Sequence, residues 1–511
     1  MTNKYSIGGP GSVVDAIYTP AKCPVDEGNL MIEALPDPVT GVDALSTVYS
    51  RSLPDFNPEE IRSLSRLKRR QLVSQLRYLR LYLPFEESLE HEFYNSLVNS
   101  YRLRTLQKVD CTPAYYRLIG HTGEAANAGF NLLGYSGCGK SSAIGMLVNH
   151  CPQVIRHRMA DGTALSQIVY LVVSCNPTND FSALYEAIGR EIDRALGTNM
   201  YERMLSTHMN LGRKLNKVIE LIEKFGIGLI ILDEIQQLSF GRSKSNTFES
   251  LLSIVNTTKV ALAVVGTEEA YDKMFSTLRT ARRAGYEIPA SNYCGNKPFF
   301  KFLMRSLLNY QWFDNRIPIT DDIIETMYVE SHGIIDQAIT LWMAVQDEYL
   351  KRDSPVDITP EFISRTFSRR YPRLRELLNA VQSQENDDMI RAIMVNADRE
   401  HEHELEMERQ NQAMNNIISS AQAQIIEEVV SRTVSSIQVV YRGSTSAEIE
   451  RLCRLKIADL PEERRSVEEL APIVLDELRD PPRRRTARRN RTVSTEDMLN
   501  SVMNSGRDQA S

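Results

Sequence analysis

The 511-residue chain predicts an α/β domain built on a parallel sheet, followed by a small helical lid and flanked by an arm and a polar tail. Three observations carry this. Residues 130–300 alternate short apolar, β-branched runs with longer stretches of helical spacing, as expected of parallel strands buried on both faces by crossover helices. From Phe299 onward only the helical spacing persists. A glycine-rich loop joins the first of those strands to an apolar helix.

Composition sets the bounds. A chain of this length holds about three folding units, and its 42% hydrophobic and 25% charged residues are an ordinary globular mixture. Sixty basic residues against 66 acidic ones, a net of -6, exclude a uniformly basic nucleic-acid coat but leave room for local patches. The seven cysteines show no CxxC spacing, so neither a disulfide framework nor a zinc ribbon is expected, and a reducing cytoplasm fits. No run approaches the roughly 20 apolar residues of a membrane span, and no membrane partner is expected.

Residues 1–56 are rich in proline and glycine and read as an extended arm that wraps or docks a partner, or as a leader without fixed structure. In the helical segment 57–118, Pro58 and Glu59 open a helix, and Ile61, Leu64, Leu67, Leu72, Leu76, Leu79 and Leu83 recur at helical spacing. Its other positions include Arg62, Arg66, Lys68, Arg69, Arg70, Arg77 and Arg80, a basic face open to a phosphate backbone, an acidic partner or plain solvent. Residues 119–298 form the α/β domain, with strands expected at Phe130–Leu133, Ile168–Ser174, Ile227–Leu232 and Val260–Val265. A helical lid is expected over 299–381. Residues 382–511 turn polar and end in a proline-interrupted arginine run, Arg479 to Arg491, which reads as a flexible basic tail.

The chemistry-bearing motif is Gly134-Tyr135-Ser136-Gly137-Cys138-Gly139-Lys140-Ser141, a GxxxxGK[ST] loop between strand and helix. Its backbone amides, with Ser142 behind them, suit the phosphates of ATP; Lys140 reaches the β- and γ-phosphates and the Ser141 hydroxyl serves Mg2+. Ninety residues on, an apolar strand ends in Asp233 and Glu234: Asp233 for Mg2+, Glu234 to deprotonate the attacking water. Thr267, after the next strand, is placed to bond that water, or simply caps the strand. Arg282 and Arg283 are the cations suited to complete a neighbouring subunit's site, with a surface salt bridge as the alternative for each.

Together these motifs resemble the AAA+ P-loop NTPases, and more closely the TnsC family of transposition regulators. The finer resemblance lies in Gly28–Pro36, Ile119–Gly123, Leu229–Gln236 and Ser331–Ile339, and covers roughly residues 28–380. It implies an ATPase that forms a homo-oligomeric ring or filament on double-stranded DNA. It also implies that the protein links a target selector of the TnsD or TniQ type to transposase subunits of the TnsA and TnsB type, in the bacterial cytoplasm and associated with DNA. The strand-transfer chemistry is left to those partners. The arm is then expected to dock the selector, and the basic tail the transposase or DNA. Arg156, Arg158 and Thr178 are offered as pore-facing DNA contacts. One departure is that Gly333–Ile339 lacks the arginine many AAA+ lids carry; His332 is considered as its substitute and more simply faces solvent. The competing readings are a replication-initiator or helicase-loader-like AAA+ ATPase, disfavoured because residues 382–511 lack a helix-turn-helix signature, and a non-hydrolysing ATP-bound scaffold.

Overall fold

The computed structural model describes residues 4–53, 56–104, 129–159, 161–175, 181–206, 209–237, 251, 253–267, 285–352, 354–372, 397–441, 443–461 and 464–479. They divide into two units, Met1–Ser420 and Ala421–Ser511.

The first unit opens with β1 (Gly9–Asp15), α1 (Leu30–Glu33), α2 (Val42–Tyr49), α3 (Pro58–Ser63), α4 (Arg66–Val73) and α5 (Phe85–Leu103). The helix expected to run on from Pro58 is broken where Leu64 turns extended (φ −76°, ψ 150°) and the Ser65 side chain caps a fresh start by accepting from the Lys68 amide. At the first start the Asn57 side chain accepts from the Glu59 amide and Pro58 occupies the first turn, as the sequence suggests.

Next come β2 (Phe130–Leu133), α6 (Lys140–Asn149), β3 (Pro152–Arg158), β4 (Ala164–Ile168), β5 (Tyr170–Ser174), α7 (Phe181–Leu196), α8 (Tyr201–Ser206) and α9 (Leu211–Lys224). The α/β layer closes with β6 (Leu229–Asp233), β7 (Ala261–Gly266) and β8 (Tyr286–Pro289). The main sheet has the order β5-β6-β7-β2-β8, and every neighbouring pair in it is parallel. A second sheet, β1-β3-β4, pairs β1 parallel and β4 antiparallel to β3.

Strand alternation divides the core. Tyr170, Leu229, Ile231, Ala261, Ala263 and Val265 pack into one cluster with α5 residues Leu89, Phe93 and Leu97 and with the lid. Their alternate neighbours Leu171, Val173, Ile230, Leu232, Leu262 and Val264 pack with Leu184, Ile188 and Ile192 of α7 and Val218 and Ile222 of α9. Both faces are therefore dry, which is why these strands read as continuous apolar runs.

The arm is not extended away from the domain. β1 is zipped to β3, and Met31, Ile32, Leu35, Leu45 and Tyr49 are buried in the main core. Its polar fastenings are buried or half-buried: Arg102 donates to both oxygens of Asp26 at 2.7 and 2.6 Å, and Glu90 accepts from the Tyr49 hydroxyl at 2.8 Å and the Val39 amide at 2.9 Å.

The lid comprises α10 (Lys297–Leu307), α11 (Asp321–Ser331), α12 (Ile335–Leu350) and α13 (Pro360–Arg370), around Trp312, Phe313 and Trp342. Much of the basic face of α4 is spent here. Arg66 and Arg69 both pair with Asp314, Arg69 also donates to the Trp312 carbonyl at 3.0 Å, and Arg70 binds Asp347 at 2.8 Å. In the first unit Glu406, on the 44-residue helix α14 (Ala397–Val440), accepts from Ser88 and Tyr286, each at 2.6 Å. The second unit packs Val430, Val434 and Ile437 against α15 (Ser446–Ala458) and α16 (Val467–Arg479), with a Thr445/Glu448 capping box starting α15. The arginine run 483–491 lies outside the described residues.

Candidate nucleotide site

β2 and β6, which carry the two motifs, are separated in the sheet by β7, so the loop after β2, the Asp233 end of β6 and Thr267 after β7 all lie at the carboxyl edge of the parallel strands. Thr267 is half-buried there. The loop leaves β2 with the Gly134 amide bonded to the Gly266 carbonyl at 3.2 Å, which ties it to that same edge. Tyr135, Ser136 and Gly137 form its outer curve; Cys138 is buried, and its thiol is pushed up by burial.

Gly139 caps α6 with φ +100°, a conformation a side chain resists, and a Cβ there would come within 2.9 Å of Arg80 Nη1. Lys140, only 9% exposed, curls into the loop and donates to the carbonyls of Gly134 at 2.8 Å and Tyr135 at 2.7 Å. Its ammonium therefore sits inside the turn that an anion would share. Ser141 and Ser142 follow, exposed on the first turn of α6.

Across 92 residues of sequence, the Ser141 hydroxyl donates to Asp233 Oδ1 at 3.2 Å. That carboxylate also accepts from the Glu234 amide at 2.9 Å. Glu234 takes φ +58°, a strained value for a non-glycine residue, and its carboxylate accepts from the Gln236 side chain. A hydroxyl and a carboxylate converging on one point are hard oxygen donors of the kind that suits Mg2+. The Cys175 thiol beside them is raised to about 12 by burial and by the charges of Asp233 and Glu234, so it stays protonated.

Other expected residues fall elsewhere. Arg156 and Arg158 are not on a loop after α6 but on β3, two residues apart and exposed on one face, with Arg158 paired to Asp15 at 3.2 Å. Thr178, Arg282 and Arg283 lie outside the described residues. His332, expected to face solvent, ends α11 in a left-handed turn (φ +51°) and is half-buried. Two neighbours of the loop have no local signal in the sequence, Arg80 against Gly139 and Asp336, whose amide donates to the Gly137 carbonyl at 3.3 Å.

Sheet order, loop and paired carboxylates define a nucleotide-binding P-loop domain of the AAA+ fold. A family model described as an AAA domain matches residues 129–274. Comparison with curated proteins gives no match. Among solved structures, the chain is similar to the Aeropyrum pernix ORC1 protein in complex with DNA, at 14% identity and TM-score 0.32 over 71% of this chain and 80% of that one. It is also similar to Cdc6p from Pyrobaculum aerophilum, at 17% identity and TM-score 0.27 over 43% and 54% of the two chains. The Aeropyrum pernix ORC2 protein in its ADP form follows at 14% identity and TM-score 0.29 over 50% and 65%. The chain thus spans less than two thirds of the last two, and at these TM-scores the likeness bears on neither activity nor partner. Among the described residues, no helix is long and apolar enough to cross a membrane.

Proposed function

We propose that this protein hydrolyses ATP as a switch on duplex DNA, assembling there as a ring or filament and linking a target selector to a transposase in the manner of TnsC regulators. The observation that supports the nucleotide part best is the convergence of Ser141 and Asp233 at 3.2 Å from motifs 92 residues apart. The transposition part is supported by the resemblance in Gly28–Pro36, Ile119–Gly123 and Ser331–Ile339.

In this reading residues Gly134 to Ser142 hold the phosphates and Lys140 exchanges its loop carbonyls for phosphate oxygens. Ser141 and Asp233 would hold Mg2+, which when bound neutralises charge developing on the phosphates. Glu234, kept next to Asp233 by its strained backbone, accepts the proton of the attacking water, and Thr267 orients that water. Arg282 or Arg283 serves the site of the neighbouring subunit. DNA is held through its phosphates, so affinity is salt-sensitive and target choice falls to the selector, of the TnsD or TniQ type, with TnsA- and TnsB-type subunits doing the strand chemistry.

The test is ATP turnover with and without duplex DNA, together with electron microscopy of the assemblies in ATP and in ADP. Expected are DNA-dependent assemblies with ATP only, and a loss of turnover of about 100-fold or more in Glu234→Gln with longer-lived assemblies. Equal assembly lifetime and turnover in the two proteins would leave a non-hydrolysing scaffold. Assembly only with a helicase, and not on DNA alone, would favour the loader-like alternative.

A further inference from the structure

Two glycines of the loop meet different parts of the chain. Gly137 meets the lid, where a Cβ would lie 3.1 Å from the Cβ of Asp336, so the lid offers this loop a carboxylate. Gly139 meets Arg80, which belongs to the segment between α4 and α5.

Arg80 is held in an incomplete way. Its Nη2 donates to Glu86, whose side chain is fully buried and whose second oxygen accepts from the Leu83 amide at 2.8 Å. Its Nη1 faces Gly139, while its Nε has no hydrogen-bond partner although the side chain is only 10% exposed. An unmatched buried donor costs about 1–3 kcal/mol. The guanidinium, through Nη1 and Cζ, lies against Gly139, the cap of the ten-residue helix α6, whose free amides favour an anion.

We propose that Arg80 is the cation by which this chain senses a nucleoside triphosphate: it donates to phosphate oxygens at Gly139, and Glu86 is the carboxylate that competes for it. This rests on the nucleotide-binding reading above. The same residue is joined to the arm, because the amides and carbonyls of Arg51 and Arg80 bond reciprocally at 2.8 and 2.9 Å. Occupancy of the loop is thereby reported to the segment preceding the α/β domain, and not through a lid arginine. Burial raises the Glu86 carboxyl to about 7 against the pull of Arg80, so Glu86 can take up a proton when Arg80 turns to phosphate.

The experiment titrates the full chain with fluorescent N-methylanthraniloyl-ATP and the matching ADP analogue, in wild type and in Lys140→Ala, Arg80→Gln, Arg80→Lys and Glu86→Gln, each with its melting temperature. Arg80→Gln is expected to weaken the triphosphate about tenfold or more and the diphosphate less, with part recovered in Arg80→Lys. Glu86→Gln is expected to tighten the triphosphate by about two- to fivefold, since the competing charge is gone. Opposite signs are what a merely structural ion pair would not produce. Two lowered melting temperatures with unchanged affinities would overturn the proposal, as would unchanged or weakened binding in Glu86→Gln alone if Arg80→Gln does not fold. Affinity that depends on Lys140 but not on Arg80 overturns this inference only, whereas wild type binding no better than Lys140→Ala overturns the nucleotide reading with it.

Discussion

Two groups of arginines behave in opposite ways. Arg66, Arg69 and Arg70 on α4 lean on the lid, where Asp314 and Asp347 meet them, and Arg69 is nearly lost to solvent, with 5% of its side chain exposed. Arg156 and Arg158 on β3 stand in solvent, and Asp15, which pairs with Arg158, is itself 63% exposed. A cation matched by a largely covered carboxylate has less left to give a phosphate, whereas a cation with an exposed, screened partner keeps most of its field. Arg66, Arg69 and Arg70 of α4 therefore fasten the lid, whereas Arg156 and Arg158 of β3 keep most of their charge exposed to solvent.

That contrast breaks most visibly at Asp314. Replacing it with Ala strands Arg66 and Arg69 against the lid, and a loss of about 3 kcal/mol in denaturant unfolding is expected, with no change in the salt dependence of DNA binding. Glu86 comes next. Its raised pKa means the folded state is favoured while the carboxyl is protonated, so this contribution is present below about pH 4.5 and is lost as pH rises toward 7, by up to about 3 kcal/mol. Among the described residues, Arg80, Tyr49 and Tyr82 interact with it electrostatically, and Glu86→Gln is expected to flatten that slope in a series of thermal melts.

Asp347 runs the other way. Hydrogen bonds from Lys351 and Arg70 and the charge of Arg370 outweigh its burial and hold it at about 2. Its contribution is present above about pH 4 and disappears as pH falls toward 2. Because the site is partly solvated, Asp347→Asn should cost about 1 kcal/mol at neutral pH and remove that acid limb. The smallest effect on stability belongs to β3. Arg156→Glu with Arg158→Glu should stay within about 0.5 kcal/mol of wild type, yet lower DNA affinity and reduce the salt slope by about 2. An unchanged slope would return these arginines to plain surface.

What the sequence made legible follows the range of the interactions. Gly134 to Ser142 and Asp233–Glu234 stand out in the sequence because each motif is written in adjacent residues, and β2 falls where its apolar run lies. β1 and β3 were missed: β1 is glycine-rich, and β3 carries Arg156, His157 and Arg158, so neither shows the continuous apolar run of the main sheet. The His157 ring is nonetheless buried, bonded to Tyr18 at 2.9 Å and to Gln167 at 2.8 Å. Arg69 and Asp314 are 245 residues apart, and no local pattern announces such a pair. Arg80 is, in the sequence, one more basic position, since its neighbour Gly139 belongs to another motif.

The pairing of β1 with β3 also sets a timetable for biosynthesis. The Gly11 amide finds its partner Gln153 142 residues later. At ribosome speeds of about 5–20 residues per second, the first strand therefore waits roughly 7–28 seconds with its amides open before β3 has been made. During that interval the segment is available to chaperones or to another nascent copy, and slowing translation between residues 20 and 150 should lengthen its exposure to added protease in a ribosome-bound assay.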